Sequence, residues 1–185
     1  MTGAALPTIV KVTETTLSPW VTVIGRSVQF PGQPRPEDYH SLRQADYVTV
    51  FAVTPDGRIP LVEQFRPALE RKTLELPGGL LDKDEAPLLS ATRELLEETG
   101  RATRGDVTLL GRLAPDSGRL ENSLWGYFAT VDEPDPNWKP EAGVSSVTVS
   151  KAEFRDLILS GEFDHALHIA LVGMSLTRNL FSWDR

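Results

Sequence analysis

Residues 74–100 read LELPGGLLDKDEAPLLSATRELLEETG and place several carboxylates directly after a glycine turn. Pro87 suits the first turn of a helix, because its missing N–H would have no partner there in any case. No further proline or glycine follows before Gly100, which stands where a left-handed helix cap is usual. The stretch therefore predicts a glycine turn followed by a helix that ends at residue 99.

Three acidic residues of this helix follow helical spacing, so Glu94, Glu97 and Glu98 should share one edge. Like charges at this spacing cost about 0.2–0.5 kcal/mol per pair. The helix dipole also disfavours anions near the C-terminus of a helix. A divalent cation would remove both penalties, and ligand sets made only of oxygen suit Mg²⁺, with Mn²⁺ as a substitute.

The glycine turn in front of the helix can complete this ligand set. Glycine allows close approach of the backbone, so the main-chain carbonyl of Gly78 is a candidate ligand beside the carboxylates. The alternative interpretation is a solvated acidic helix face that Arg93 and Arg101 neutralise.

Composition narrows the class of protein further. The chain has 185 residues, 40% of them hydrophobic, a formal net charge of −7 and no cysteine. This length predicts one domain with a small appended segment, and the negative charge argues against nucleic acid as a partner. The chain has no apolar run long enough to cross a bilayer and no secretory signal pattern at its start. We therefore expect a cytoplasmic protein with no membrane partner.

The chain divides at about residue 45. Residues 1–45 are expected to form an N-terminal β region, in which 19–24 and 26–30 read as two strands broken at Gly25. Residues 46–185 are expected to form the main domain, whose predicted strands are 47–53, 59–65, 107–113, 124–131 and 144–149.

Two helices are predicted near the C-terminus. Ser150 and Glu153 form a capping box that opens a helix ending near Gly161. Asp164 is expected to cap a final helix, in which His165 and His168 read as surface or packing residues. Strands mixed with few helices indicate an α+β fold, an α/β/α sandwich.

The glycine turn and the helix together match a known motif. The pattern G-x5-E-x7-R-E-U-x-E-E-x-G-U, in which U is aliphatic, is the Nudix box. The matching residues are Gly79, Glu85, Arg93, Glu94, Leu95, Glu97, Glu98 and Gly100. Arg101 departs from the final aliphatic position, and we expect Ala102 to take over its packing role by a small shift.

The chain thus resembles the Nudix hydrolases. Residues 51–58, 61–67 and 74–79 are similar to the branch of ADP-ribose pyrophosphatases and nucleoside-diphosphate-sugar hydrolases. The resemblance implies a Nudix-like α/β/α sandwich with a mixed sheet. It also implies a homodimer in which the N-terminal β region of residues 1–45 reaches toward the partner.

The implied activity is metal-dependent hydrolysis of the pyrophosphate bond of ADP-ribose or a related nucleoside diphosphate sugar. The products would be a nucleoside monophosphate and a sugar phosphate. The resemblance makes Glu94 and Glu98 the principal Mg²⁺ ligands, with Glu97 and the Gly78 carbonyl as further ligands. Glu85 would support the site.

The resemblance also implies roles in binding the substrate. Arg66 would contact phosphate or the terminal ribose, with a surface arginine as the alternative. Glu75 would contact ribose or support the site, and Trp20 would stack on the base unless it is a core residue. Arg93 would hold a box glutamate rather than touch the substrate.

A carboxylate must act as the general base on the attacking water. Glu141, in the loop Trp138-Lys139-Pro140-Glu141, is the first candidate, and an exposed residue without a catalytic role is the alternative. Glu121 is the second candidate, and the sequence Asp-Ser-Gly-Arg in its loop departs from the sequence usual in the branch of ADP-ribose pyrophosphatases. Glu97 is the third catalytic candidate.

The contrasting function is a sensor module that binds nucleotide sugars without cleaving them. Such modules usually lose box glutamates or carry a DNA-binding domain. This chain keeps every charged residue of the box, which favours the enzyme.

Overall fold

The computed structural model describes residues 5–184, which belong to two compact units. The first unit joins the chain up to Ala45 with Ala114–Ser123, and the second comprises Asp46–Leu113 and the chain from Leu124 onward. The outermost ends of the predicted ranges 1–45 and 46–185 lie outside the described residues. The sequence did not indicate that the loop 114–123 belongs with the N-terminal region.

The first unit is a three-stranded antiparallel sheet. Its strands are β1 (Thr8–Ser18), β2 (Val21–Gln29) and β3 (Glu37–Arg43), in the order β1-β2-β3. The predicted break at Gly25 is wrong, because β2 pairs with both neighbours across this residue. Gly25 is required by space instead, since a Cβ there would lie 2.5 Å from Oγ1 of Thr13 on β1.

The second unit contains two sheets and three helices. The elements are β4 (Tyr47–Val53), β5 (Ile59–Arg66), β6 (Arg71–Glu75), β7 (Gly78–Leu80), α1 (Pro87–Thr99), β8 (Thr108–Leu113), β9 (Leu124–Thr130), β10 (Val144–Val149), α2 (Lys151–Ser160) and α3 (Ala166–Thr177). The four-stranded sheet has the order β7-β4-β9-β8 and is mixed, because β4 and β9 are parallel and the other pairs antiparallel. The three-stranded sheet, β10-β5-β6, is antiparallel.

Alternation along β4 shows how the layers are arranged. Val48 and Val50 are fully buried in a cluster with Ala91 and Leu95 of α1. Phe51, whose side chain points to the opposite face, lies in a second cluster with side chains of α2 and α3. The mixed sheet is therefore covered by helices on both faces, which confirms the α+β sandwich.

The helix ends follow the sequence with one exception. Pro87 opens α1, Gly100 caps it in the left-handed region at φ 68°, and Ser150 and Glu153 form the capping box of α2. The expectation that Asp164 caps α3 is wrong. His165 is the N-cap residue of α3 and makes no capping bond through its side chain.

Asp164 has a different partner. Its carboxylate accepts a hydrogen bond from the guanidinium of Arg71 on β6, so it is drawn away from the N–H groups of α3. Among residues 5–184, no helix combines the length and the apolar character needed to cross a membrane.

Candidate active site

The most buried carboxylate of the box belongs to Glu98. Glu98 is 8% exposed, and its Oε2 accepts a hydrogen bond of 2.8 Å from the backbone N–H of Gly78. Burial raises the pKa of Glu98 to about 7, although the Gly78 hydrogen bond opposes the rise. The anionic form of Glu98 therefore lacks sufficient compensation from the protein alone.

Glu94 lies directly against β7, the strand Gly78–Leu80 that pairs with β4 where the sequence predicted a glycine turn, so that prediction is wrong. A Cβ at Gly79 would lie 2.7 Å from the Glu94 carboxylate, so a larger residue there would displace the end of this side chain. A Cβ at Gly78 would lie 2.1 Å from the carbonyl oxygen of Val48 on β4. Gly78 is thus required by the close approach of the β4 backbone, and burial raises the pKa of Glu94 as well.

Arg93 joins three box glutamates. Its Nη1 donates to Glu94 at 2.9 Å and to Glu97 at 2.8 Å, while Nε and Nη2 donate to Glu85 at 3.3 and 3.1 Å. Hydrogen bonding to Glu85 is the main reason that the pKa of Arg93 is raised. These contacts agree with the expected supporting roles of Arg93 and Glu85, which remain predictions as far as catalysis is concerned.

The acidic edge of α1 is not simply a solvated face. The side chains of Glu94 and Glu97 are 17% and 42% exposed, and Glu98 is buried. Two half-buried or buried carboxylates with raised pKa values are stabilised by a nearby positive charge. A donor set made of carboxylate oxygens fits a hard cation such as Mg²⁺.

Arg66 and Glu75 form a bidentate ion pair between β5 and β6. Nε of Arg66 donates to Oε1 of Glu75 at 2.7 Å, and Nη2 donates to Oε2 at 2.6 Å. Burial alone would raise the pKa of Glu75, but hydrogen bonds from Arg66 and Thr73 hold it at about 2. Glu75 is 2% exposed, which favours the supporting role over direct contact with ribose.

This ion pair acts on the box electrostatically. The charge of Arg66 lowers the pKa of Glu98, and the charge of Glu75 raises it. The Arg66 side chain is 43% exposed, so part of its guanidinium is accessible to a ligand.

His165 and His168 lie beside Glu75, and one potential ligand atom from each of the three residues lies within 4.8 Å of the others. The imidazole rings stack with centroids 3.8 Å apart. Nδ1 of His168 accepts a 3.0 Å hydrogen bond from the N–H of Leu76, and burial lowers the pKa of His168 to about 3. His168 is thus a packing residue, in agreement with one of the two interpretations of the sequence.

Glu141 lies in the loop between β9 and β10 and is exposed. Its charge contributes to the raised pKa of Glu94, which places the two carboxylates within electrostatic range of each other. Sequence reasoning gave no role to Trp138 in the same loop, yet its indole donates a hydrogen bond to the Glu97 carbonyl of α1. A tryptophan in an otherwise polar loop, three residues before the candidate base, was the available signal.

Glu121 and Trp20 belong to the first unit. The Glu121 carboxylate contacts Nη1 of Arg26 at 2.5 Å, Oγ of Ser41 at 2.6 Å and Nε of Arg43 at 3.2 Å. The hydrogen bond from Arg26 is the main reason that the pKa of Glu121 lies at about 2. Trp20 is 70% exposed, so the alternative of a core tryptophan is wrong.

Arg101, where the box has an aliphatic residue, is itself buried at 6% exposure. Its Nη1 donates to the carbonyl of Asp132 at 2.9 Å, and its Nη2 donates to Oγ1 of Thr148 at 3.2 Å. The expectation that Ala102 takes over the packing role of the final aliphatic position is wrong, because Ala102 is exposed. An arginine can fill an apolar position with its methylene stem when its charged end finds acceptors.

The fold and the box define a class of proteins. The chain matches the NUDIX domain family over residues 43–168 and belongs to this family. A crystal structure of an ADP compounds hydrolase superimposes with a TM-score of 0.76 at 23% identity, over 97% of this chain and 96% of that one. This likeness confirms the fold.

Two curated relatives carry the same description. The ADP-ribose pyrophosphatase of Bacillus subtilis (strain 168) is 55% identical over 53 residues, which are 29% of each chain. The ADP-ribose pyrophosphatase of Mycobacterium tuberculosis (strain ATCC 25618 / H37Rv) is 36% identical over 129 residues, 66% of this chain and 61% of the relative. The matched segments thus span less than two thirds of either relative's length.

Proposed function

We propose that the protein hydrolyses the pyrophosphate bond of ADP-ribose or a related nucleoside diphosphate sugar. The products would be a nucleoside monophosphate and a sugar phosphate. The observation that carries the proposal is the packing of two poorly exposed carboxylates against β7: Glu98 is 8% exposed and accepts a hydrogen bond from the N–H of Gly78, and the Glu94 side chain is 17% exposed beside Gly79. The two relatives named ADP-ribose pyrophosphatase support the choice of substrate.

Glu94, Glu97, Glu98 and the carbonyl of Gly78 would hold Mg²⁺, with Mn²⁺ as a substitute. When bound, such ions neutralise phosphate oxygens and make water a better nucleophile at neutral pH. Arg93 holds Glu94 and Glu97 in place through hydrogen bonds and is held in turn by Glu85.

Arg66 is the proposed contact to phosphate or to the terminal ribose. Glu75 occupies Nε and Nη2 of its guanidinium. Because a guanidinium has further N–H donors, Nη1 remains suited to an anionic oxygen. Glu75 thereby orients Arg66, and Trp20 would stack on the base.

Glu141 is the proposed general base, accepting a proton from the attacking water at a carboxylate oxygen. The rival, Glu121, is already bound to Arg26, Ser41 and Arg43. A carboxylate with a pKa of about 2 is also a weak proton acceptor at neutral pH. Both observations favour Glu141.

The test is a panel of substrates incubated with the purified protein and Mg²⁺. ADP-ribose, ADP-glucose, GDP-mannose and nucleoside triphosphates would be compared, with products separated by chromatography. We expect turnover of ADP-ribose or a nucleoside diphosphate sugar, and none after chelation of the metal. Tight binding of a nucleotide sugar without turnover of any compound would overturn the proposal in favour of a sensor module.

The protein is proposed to be cytoplasmic and to form a homodimer through its first unit. Its strand β1 exposes a run of apolar side chains, with Ile9, Val10, Val12 and Leu17 each more than half exposed. Pairing with a second copy would remove these side chains from water. Sedimentation equilibrium of the wild type should give twice the mass of the chain, and a Val12→Lys variant should shift the protein toward the monomer.

A further inference from the structure

The loop between β9 and β10 is attached to the C-terminal end of the box helix through Trp138. Nε1 of Trp138 donates a 2.9 Å hydrogen bond to the main-chain carbonyl of Glu97. Carbonyl groups in the last turn of a helix lack a partner within the helix. The indole therefore satisfies a helix carbonyl on the residue whose side chain is a proposed metal ligand.

Gly100 leaves the space that this indole occupies. A Cβ at Gly100 would lie 2.5 Å from Cγ of Trp138, and the residue has a φ of 68°. The carbonyl of Gly100 also accepts a 2.9 Å hydrogen bond from the N–H of Asp135. The loop is thus attached to the helix end at two points, one through a side chain and one through the backbone.

Glu141 lies between this attachment and the next strand. The N–H of Trp138 donates to the carbonyl of Asp135 at 2.9 Å, which closes a turn around the anchored indole. Three residues after Trp138, the carbonyl of Glu141 accepts a 3.2 Å hydrogen bond from Val144, the first residue of β10. The exposed Glu141 side chain makes no hydrogen bond among those found for residues 5–184, so its position depends on the loop backbone.

We propose that Trp138 is a positioning residue that holds Glu141 beside the box helix for attack of water on the pyrophosphate. This inference rests on the proposed function. The helix that supplies the box carboxylates also supplies the carbonyl and the glycine surface that bind the indole. The loop that carries the proposed base is therefore attached to the helix that carries the proposed metal ligands, and a displacement of about 1 Å can cost up to about 100-fold in rate.

The test compares Trp138→Phe with Trp125→Phe. Trp125 offers a matched control, because its indole also donates a 2.9 Å hydrogen bond, in this case to Asp46. Trp125 lies near the start of β9, whereas the loop of Trp138 follows the end of that strand. For Trp138→Phe we expect kcat to fall by about 10-fold or more, while KM and the Mg²⁺ dependence stay within about 2-fold of the wild type. Trp125→Phe should leave kcat within about 2-fold, and thermal unfolding of both variants would show that they fold.

A double-mutant cycle with Glu141→Gln shows whether Trp138 acts through Glu141. If it does, adding Trp138→Phe to Glu141→Gln causes no further loss of kcat. A multiplicative loss, or a Trp138→Phe variant with wild-type kcat, would overturn the inference.

Amide hydrogen exchange gives a readout that does not depend on activity. Residues 139–143 should exchange faster in Trp138→Phe than in the wild type, and unchanged exchange would contradict an anchoring role. A wild type without turnover would overturn the proposed function, whereas an active wild type with an unaffected Trp138→Phe variant overturns the inference alone.

Discussion

The carboxylate of Glu98 accepts a 2.8 Å hydrogen bond from the backbone N–H of Gly78, which ties the last turn of α1 to the first residue of β7. This contact orients a carboxylate that is otherwise poorly solvated. It also brings the Gly78 backbone and the Glu98 side chain into one site. The proposed ligand set, drawn from β7 and from the helix, therefore depends on the packing of α1 against the sheet.

Replacing Glu98 by glutamine should abolish most of the activity. We expect Glu98→Gln to lower kcat by at least about 100-fold, because it removes an anionic ligand without changing the shape of the side chain. Glu133→Gln, at a side chain that is 80% exposed, is the control and should retain full activity. Product formation from ADP-ribose, with circular dichroism as a check on folding, measures both; a fully active Glu98→Gln would remove Glu98 from the site.

Arg66→Lys should weaken substrate binding. Lysine cannot reproduce the bidentate contact with Glu75, so the positive charge loses its fixed direction. We expect KM for ADP-ribose to rise by about 10-fold. Arg71→Lys is the control, because Arg71 also forms an ion pair and its side chain is likewise 43% exposed. Steady-state kinetics would give KM for ADP-ribose in the two variants, and equal KM values would place Arg66 outside the binding site.

Because of His168, the free energy of unfolding should decrease as the pH falls below 6.5. Burial lowers the folded-state pKa of His168 from 6.5 to about 3, so the neutral ring contributes stability above pH 6.5 that is lost as the pH falls toward 3. In His168→Asn, the amide oxygen can still accept from the N–H of Leu76, but nothing titrates.

The free energy of unfolding of the wild type should therefore fall relative to that of His168→Asn between pH 6.5 and pH 4. The slope is at most about 1.4 kcal/mol per pH unit. Urea titrations at a series of pH values provide the measurement. A constant difference between the two proteins would show that His168 is not held neutral by burial.

Gly100→Ala should destabilise the protein more than Gly161→Ala. Both glycines cap helices at positive φ, so both variants incur about 1–2 kcal/mol of backbone strain. A Cβ at Gly161 meets open space, whereas at Gly100 it would overlap the ring of Trp138. Overpacking adds about 1–3 kcal/mol, which urea midpoints would resolve; equal destabilisation would mean that the indole moves aside without cost.

Much of the fold could be read from short-range patterns. The ends of α1 follow from Pro87 and Gly100, and the capping box of α2 follows from Ser150 and Glu153. The strand at Tyr47–Val53 follows from its β-branched and aromatic residues. These features depend on interactions between residues that are a few positions apart, so a short stretch of sequence is enough to predict them.

The misjudged residues have partners far away in the chain. Gly25 reads as a strand break, but it makes room for Thr13 across the sheet. Asp164 reads as a helix cap, but Arg71 binds its carboxylate. Arg101 reads as an imperfection of the box, but acceptors from a later loop and strand allow it to be buried.

The sequence by itself determined the helix and its acidic edge, because helical spacing is a local property, whereas pairing with β4 makes Gly78–Leu80 the strand β7 instead of the predicted turn. Only the tertiary structure decided which carboxylates are buried, that Arg66 is directed by Glu75, and that Trp138 anchors the loop of Glu141. Burial and hydrogen bonding between distant segments arise when the sheet and helices pack, and no spacing within one segment records them.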